Sequence, residues 1–347
     1  MAQVTPLSPR QFADLDAGLM VTRVTAGYFA EHPELGERER IRMRPDCERD
    51  LNAHYRFLQA AMIYGTPRVF EQYTRWLGDV YRHHRLPKDY LVDTFRLLGA
   101  YLERHLPEAT AALAVGLLAS ARETLRGAVV EVPGPSRRGL RLAGAGDFTQ
   151  ALVGGDSGVA GSVAERALAG GLGLVDVAVG VIQPSMYEIG YLWQTNRITV
   201  AQEHLATAIA QTVLGRILMA QEYAEPNGRR ALFACVENNH HALGLQMVSD
   251  AFEVDGWEVD YLGADTPGES ILQMIDQRAP QLVGLSISMP LELTTLAGVV
   301  DMIKGEFAAT RPAIVIGGQL FNEMDKLALG LGADLWFVNA KDAVEGI

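Results

Sequence analysis

The spacing of apolar residues predicts a purely helical first third of the chain. From Pro9 to about Ala128, apolar residues recur every three or four positions, which is typical of amphipathic helices, and Leu51–Tyr64 is one example. Residues 132–146 then concentrate Pro, Gly and Arg without periodicity, which is typical of a connector. We therefore expect an all-helical N-terminal domain over residues 1–131 and a linker over 132–146.

The same three- and four-residue spacing continues after the linker. It predicts a second helical unit over residues 147–225, which ends before the turn-forming sequence EPNG at Glu225–Gly228. We expect four helices there: Phe148–Gly154, Ser157–Gly171, Gly173–Gln194 and Thr199–Tyr223.

From residue 228 to the end at 347, short apolar runs alternate with helical patterns. The runs are apolar enough to be buried on both faces, which is typical of parallel strands in an α/β domain. A flavodoxin-like, doubly wound parallel sheet follows, and such sheets bind ligands beyond the carboxyl ends of their strands. The predicted strands are Ala231–Val236, Glu258–Gly263, Leu282–Ser288, Ala313–Gly318 and Asp334–Val338.

Composition and charge exclude several classes of partner. The net charge is −12 and no block of basic residues is present, so direct binding to nucleic acid is not expected. No apolar run reaches the roughly 18–20 residues that cross a bilayer. Cys47 and Cys235 lie far apart, and the first residues lack a secretion signal. We expect a cytoplasmic protein without membrane contact.

The loop Glu237–Gly244 after the first predicted strand holds His240 and His241. It lacks the glycine pattern of a nucleotide-binding loop. A closed zinc site needs three or four ligands, and only these two histidines and His204 could converge. Ser286 and Ser288 lack the GxSxG context of a nucleophile. From the residues alone, His241 could also be a loop histidine that caps the next helix.

The spacing in this loop indicates a specific chemistry. Asn239, His241 and Gly244 form NxHxxG, which resembles the DxHxxG signature of cobalamin-binding domains. The resemblance implies that His241 is the lower ligand of cobalt. Asn239 replaces the usual aspartate, so its carbonyl can accept the ring N–H of His241 but adds no charge that would make the imidazole more basic. His240 is the alternative ligand.

Two later motifs of this family follow at the expected strand ends. A serine-containing strand end stands at Ser286–Ser288, and a diglycine stands at Gly317–Gly318. The resemblance implies that the glycines let the backbone approach the nucleotide tail of the cofactor, because a Cβ there would take up its volume. It also implies that Ser286 and Ser288 can hydrogen-bond the buried benzimidazole.

The four-helix unit shows a second resemblance. Trp193 is followed after nine residues by Glu203–His204, and this Wx9EH pattern resembles the cap of cobalamin-dependent photoreceptors, which covers the upper face of adenosylcobalamin. A tryptophan on a helix is also a common core residue. Some members carry a histidine directly after the tryptophan that binds cobalt after illumination. Here Gln194 takes that position, so His204 or water would have to take the upper face.

The arrangement of a helical domain, a cap and a cobalamin domain most resembles photocobilins, which bind a bilin as a second chromophore. The resemblance implies that the N-terminal domain binds biliverdin or a related bilin, close to the corrin. Cys47 could form a thioether to the bilin or could simply be exposed. Candidate bilin-binding residues, which could equally belong to an amphipathic helix with a polar turn, are Tyr73, Trp76, His83, His84 and Arg85.

These resemblances imply a light-sensing binding protein and not an enzyme. Light would break the cobalt–carbon bond of adenosylcobalamin, the cap would repack about Trp193, and self-association would change, with a signal passing to an unknown downstream protein. The alternative is a corrinoid protein that carries methyl groups for a methyltransferase. A direct DNA-binding repressor is disfavoured, because residues 9–128 show no recognisable recognition helix.

Overall fold

A computed structural model describes residues 6–127 and 140–347. The chain divides into two compact units, Met1–Val132 and Pro133–Ile347. The predicted linker is therefore described only from residue 140 onward, and the finer boundaries at residues 131, 146 and 225 remain predictions. None of the described helices is both long enough and apolar enough to cross a membrane.

The N-terminal unit is all-helical over its described residues, as the apolar spacing predicts. Proline stands at the first position of its third helix and directly before its fourth and fifth helices, where the missing N–H removes no helical hydrogen bond. A 3₁₀ turn at Pro9–Phe12 precedes the helices α1 Ala17–Glu31, α2 Glu37–Ile63, α3 Pro67–His83, α4 Lys88–His105 and α5 Glu108–Arg126.

Aromatic rings fill the core of this unit. Tyr73 of α3 stacks on Phe57 of α2 with ring centroids 3.7 Å apart, and Phe70 packs on Phe95 of α4 at 5.7 Å. His54 is 1% exposed, and its Nδ1 lies 2.6 Å from the hydroxyl of Tyr73. Burial lowers the pKa of His54 to about 3 and raises that of Tyr73 well above its usual value, so this buried pair is uncharged.

The second unit opens with the predicted cap helices. Asp156 caps α7 by accepting the backbone N–H of Val159 at 2.9 Å, and Thr199 with Gln202 forms a capping box at the start of α10. The expected four helices are confirmed, except that the third is interrupted. They are α6 Ala145–Gly154, α7 Ser157–Ala169, the pair α8 Leu174–Val177 and α9 Gln183–Gln194, and α10 Val200–Met219.

A π-helical turn, Ala178–Ile182, separates α8 from α9. Its physical cause is Pro184, which has no N–H to donate to the carbonyl of Gly180 four residues earlier. The backbone N–H of Leu142 donates to that carbonyl instead, at 2.8 Å. The side chain of Leu142 packs so closely that a Cβ on Gly180 would come within 2.6 Å of it. The chain segment before α6 is thus fixed to the helix that carries Trp193.

The described residues of the second half form a parallel five-stranded sheet of order β2-β1-β3-β4-β5, which confirms the flavodoxin-like prediction. The third strand ends at Ser286, two residues earlier than predicted. The elements are β1 Arg230–Val236, α11 Leu243–Val254, β2 Glu258–Thr266, α12 Gly268–Arg278, β3 Leu282–Ser286, α13 Leu293–Phe307, β4 Ala313–Gly317, α14 Gln319–Glu323, α15 Asp325–Gly330, β5 Leu335–Trp336 and α16 Ala340–Glu345.

The cap and the sheet domain share one apolar core within this unit. Leu243, Met247 and Ala251 of α11 join the buried residues of the cap helices, as does Ala340 of α16. At the edge of this contact, Lys341 Nζ lies 2.8 Å from a carboxylate oxygen of Asp176 in α8. The cap is therefore packed against the helices on one face of the sheet.

Candidate functional site

The loop between β1 and α11 is fixed by a buried amide. Asn239 has no exposed surface, and its Nδ2 donates to the carbonyl of Ser286 at the end of β3, at 2.9 Å. Its Oδ1 accepts the backbone N–H of His241 at 3.1 Å. The expected bond from Asn239 to the His241 ring is thus replaced here by a bond to the His241 backbone. The amide ties the histidine loop to the neighbouring strand.

His241 follows this anchor and is exposed at the carboxyl edge of the sheet. Although solvent reaches it, the surrounding protein removes enough water to lower its pKa; the nearby Glu203 opposes this shift and His240 adds to it. A lowered pKa keeps the imidazole neutral, which is the form that binds a metal. His240 is exposed as well, so both histidines are within reach of a ligand outside the loop.

A row of small residues lies beside this loop at the carboxyl edge. Strand register places Cys235 of β1 opposite Ser286 of β3, and Ser286 opposite Gly317 of β4, so the three share one face. Around Gly317, an added Cβ would meet no atom within 4 Å. Burial raises the pKa of Cys235 to about 12, so its thiol is a small, uncharged wall residue. Open space therefore adjoins the row at Gly317, whereas Cys235 and Ser286 are buried.

Glycine stands at the positions of the two motifs for different structural reasons. Gly244, at the start of α11, and Gly317 face open space. Gly318 has φ +115°, and a Cβ there would come 1.8 Å from the carbonyl oxygen of Ile287. The chain itself therefore requires glycine at 318, whereas open space adjoins 244 and 317. Ser288 lies half-buried beyond the end of β3.

The cap presents its own candidates at the end of α9 and the start of α10. Trp193 is half-buried and packs against the cap core. Glu203 accepts from Thr207 at 3.0 Å, and its other oxygen lies 2.7 Å from His204 Nδ1. The charge of Glu203, in the first turn of α10, opposes the lowering of the pKa of His241, so these two residues lie in the same region of the second unit. The structure thus brings cap and sheet candidates together.

These features suit a corrin with a nucleotide tail. The loop offers a neutral imidazole at the rim, which is what a single protein ligand to a metal requires. Next to it, Gly317 and Gly244 border open space that a Cβ would occupy. The residues present therefore fit the group that the sequence motifs imply.

Comparison with known proteins agrees with this geometry. A family model described as B12 binding domain matches residues 229–347, and a second model of the same description matches residues 145–218. Both matches lie within the second unit. The cap and the sheet domain match separate models, which agrees with their separate folds.

Individual relatives cover part of this chain. The HTH-type transcriptional repressor CarA of Myxococcus xanthus is 34% identical over 155 residues, which is 44% of this chain and 51% of that protein. CarH of the same organism is 31% identical over 108 residues, which is 30% of this chain and 35% of that protein. Dimethylamine corrinoid protein 3 of Methanosarcina acetivorans is 25% identical over 167 residues, which is 47% of this chain and 76% of that protein. The matched part of this chain thus spans about half or less of the length of each repressor.

The predicted bilin residues lie in the N-terminal unit at several places along α3. Tyr73 is in the core and pairs with His54, whereas Trp76 is half-buried one turn later. His83 and His84 are half-buried at the end of the helix, and Arg85 follows, exposed, with φ +57°. The structure groups the last three and places Tyr73 apart from them.

The suggestion that Cys47 is exposed is wrong. The side chain is 2% exposed, and burial raises the pKa of its thiol. It lies on the inward face of α2, where Leu51 and Tyr55 at four-residue spacing are also buried. The polar neighbours in RPDCERD hid this helical periodicity. A thioether at Cys47 would require the helix packing to open.

Sequence reasoning also missed Cys235 as a member of the row beside His241. Its only signal was its place at the penultimate position of an apolar strand. Which residues stand beside it depends on strand register, which spacing along one strand does not specify.

Proposed function

We propose that the protein is a cobalamin-dependent light sensor, with adenosylcobalamin held between the cap and the α/β domain. The observation that carries the proposal is that the cap helices and α11, the helix that begins two residues after His241, share one apolar core. Adenosylcobalamin, when bound, supplies a cobalt–carbon bond that visible light breaks.

The sheet domain provides the lower side of the site. His241 offers a neutral imidazole to cobalt, and Asn239 holds the loop without adding a charge behind that imidazole. The hydroxyls of Ser286 and Ser288 can hydrogen-bond the nucleotide tail. The backbone at Gly244 and Gly317 lets the tail approach, and Gly318 gives the chain the conformation it needs directly after Gly317.

The cap provides the upper side. Trp193 shields the adenosyl group from water, because an indole covers a large apolar area. Nδ1 of His204 is engaged by Glu203, so Nε2 is the nitrogen that His204 would offer to the upper face after illumination. Gln194 offers no imidazole at its position. After illumination, His204 or water would therefore be the ligand on the upper face.

The cap helices around Trp193 would pack against the adenosyl group, and without that contact they would shift, since close-packed interiors tolerate voids poorly. Such a shift would change the surface available to a second copy or to a downstream protein. Direct contact with nucleic acid is not part of the proposal, because the net charge is −12 and no basic block is present. We place this sensor in the cytoplasm and assign it no enzymatic activity.

Size-exclusion chromatography with light scattering tests the proposal. Protein loaded with adenosylcobalamin should change its elution or mass after green or blue light, and Trp193→Ala should reduce the change. Tyr191→Ala is the matched control, since residues two apart on a helix point to roughly opposite sides. Identical dark and illuminated profiles of the wild-type protein would refute light sensing.

A methyl-carrying corrinoid protein is the second candidate. It is favoured by the match that extends over 76% of the dimethylamine corrinoid protein, a larger share than for the repressors. In that case the cap would serve methyl transfer, and illumination would leave the quaternary structure unchanged. Cobalamin binding without any light response would support this candidate.

We further propose that the N-terminal unit binds biliverdin or a related bilin. Support comes from the half-buried Trp76 and from the end of α3, where the guanidinium of Arg85 and the imidazoles of His83 and His84 could bond to the propionates. Tyr73 would support the site from the core. Absorption spectroscopy of protein mixed with biliverdin tests this proposal.

A further inference from the structure

The edge strand β2 reaches the histidine loop by way of two register shifts. Along their pairing, β2 advances five positions, from Tyr261 to Thr266, while β1 advances only three, from Phe233 to Val236. Extra residues in one strand of a pair form bulges, which redirect side chains and are common beside functional sites. Here the extra residues bring Asp265 alongside the loop that follows β1.

Asp265 and the loop exchange two hydrogen bonds. Its Oδ1 accepts the backbone N–H of Asn238 at 2.7 Å, and its own backbone N–H donates to the carbonyl of Asn239 at 3.0 Å. A carboxylate is a stronger acceptor for a backbone N–H than a neutral group. Two successive loop residues directly before the double histidine are therefore held by one residue of β2.

Both residues that share the carboxylate bond have a left-handed backbone. Asn238 has φ +70° and Asp265 has φ +52°. Most residues with a side chain avoid this region, and Asn and Asp are among the few that tolerate it. Such a conformation persists where the surrounding bonds fix it, and residues of this kind cluster at functional sites. The two bonds thus maintain a loop shape that the chain would not adopt by itself.

The other contacts of the loop show what this shape presents. The amide of Asn239 bonds to the end of β3 and to the backbone of His241. After His241, the hydroxyl of Tyr261 in β2 donates to the carbonyl of Ala242 at 3.2 Å. Hydrogen bonds to the two neighbouring strands therefore hold the backbone on both sides of His241, while its side chain is directed away from these bonds and remains accessible.

We infer that Asp265 is a positioning residue for the cobalt ligand His241. It acts through Asn238 and Asn239, and it keeps the loop in the conformation that presents the imidazole at the carboxyl edge of the sheet. Groups behind a metal ligand raise affinity by fixing its orientation before the metal binds. The inference rests on the proposed cobalamin function.

A double-mutant cycle between Asp265 and His241 tests the role. Asp265→Gly removes the carboxylate acceptor, whereas glycine adopts the left-handed backbone without strain. The affinity for adenosylcobalamin, measured in the dark by calorimetric titration, should fall about threefold or more, as expected for one lost hydrogen bond. In a His241→Ala background the same change should have no effect, because the residue that Asp265 positions is gone.

A second measurement uses the protein without cofactor. Amide hydrogen exchange of residues 237–244 should become about threefold faster or more in Asp265→Gly, since the loop loses an anchor that limits its local opening. Asp265→Asn keeps a carbonyl acceptor and a residue type that tolerates positive φ, so it should restore both the affinity and the slow exchange.

Asn227→Gly is the matched control. The side chain of Asn227 also accepts a backbone N–H in a loop, that of Arg229 at 2.9 Å, but it precedes β1 and so lies at the amino edge of the sheet, opposite the histidine loop. This variant should leave the affinity for adenosylcobalamin and the exchange of residues 237–244 unchanged.

The outcomes separate the inference from the proposed function. Equal losses of affinity with and without His241, unchanged exchange of the loop, or failure of Asp265→Asn to restore either property would overturn the positioning role alone. A wild-type protein that does not bind adenosylcobalamin would overturn the proposed function, and the role of Asp265 toward cobalt with it, even if Asp265→Gly still accelerates exchange in the cofactor-free loop.

Discussion

Asp250 on α11 is a buried carboxylate that works against folding at neutral pH. The residue is 6% exposed, and its Oδ2 has no hydrogen-bond partner among the described residues. Burial, and to a lesser degree the charge of Glu253, raises its pKa from 3.8 to about 7. We predict that Asp250→Asn stabilises the protein above pH 7 and flattens the dependence of its stability on pH.

The sign and size follow from proton linkage. Between pH 4 and pH 7 the folded protein keeps a proton on Asp250 that the unfolded chain has lost, so stability falls as pH rises through this window. A shift of about three pKa units corresponds to roughly 4 kcal/mol of folding stability. The protein retains this stability below pH 4 and has lost all of it above pH 7. The amide that Asp250→Asn introduces would still be buried, so we expect a gain of about 1–4 kcal/mol at pH 8.

Urea unfolding followed by circular dichroism at pH 5, 6.5 and 8 measures the difference. The two proteins should be close in stability at pH 5 and diverge toward pH 8, with Asp250→Asn the more stable. Asp276→Asn, which neutralises an exposed carboxylate on α12, should change stability by less than about 0.5 kcal/mol at every pH. Equal pH slopes for wild type and Asp250→Asn, or a less stable variant at pH 8, would refute the reasoning.

Three further predictions concern the cofactor and the cap. In cobalamin-loaded protein, His241→Ala should shift the cobalt absorption spectrum and His240→Ala should leave it nearly unchanged; the reverse would reassign the ligand. Gly180→Ala should destabilise the second unit by about 1–3 kcal/mol in urea, because its Cβ overlaps Leu142, whereas the exposed Gly190→Ala should stabilise slightly. Biliverdin should gain a red-shifted absorption band with the wild-type protein, and no such band would mean that the helical unit is structural.

The fold was predictable because β1, β3 and β4 are largely apolar runs bounded by turn-forming residues. The expectation of burial on both faces is wrong for the edge strand β2, most of whose residues are exposed or half-buried, and for the half-buried β5. Parallel pairing follows from burial on both faces and from the helices between strands. The interruption of the third cap helix was not predicted, although its cause, Pro184, was visible. A proline inside an apolar helical pattern can kink, end or shift the helix. Here the outcome depends on Leu142, a residue about forty positions earlier.

The candidate site was predictable only where a motif fixes positions along the chain. NxHxxG placed His241 after β1, but it did not reveal that the amide of Asn239 bonds to the end of β3. Sequence spacing likewise could not place Phe233 across Gly284, because this contact arises from strand register. Contacts between neighbouring strands require the three-dimensional pairing, and the row of Cys235, Ser286 and Gly317 is of this kind.

One helix, α11, joins the parts of the site that must act together. One side of it, with Leu243, Met247 and Ala251 at four-residue spacing, lies in the cap core. The side that contains Leu245 and Phe252 packs on the sheet, next to the ring of Phe233. The helix begins two residues after His241, so the loop, the cap and the sheet core meet on one helix. We therefore expect a change in cap packing to reach the histidine loop through α11.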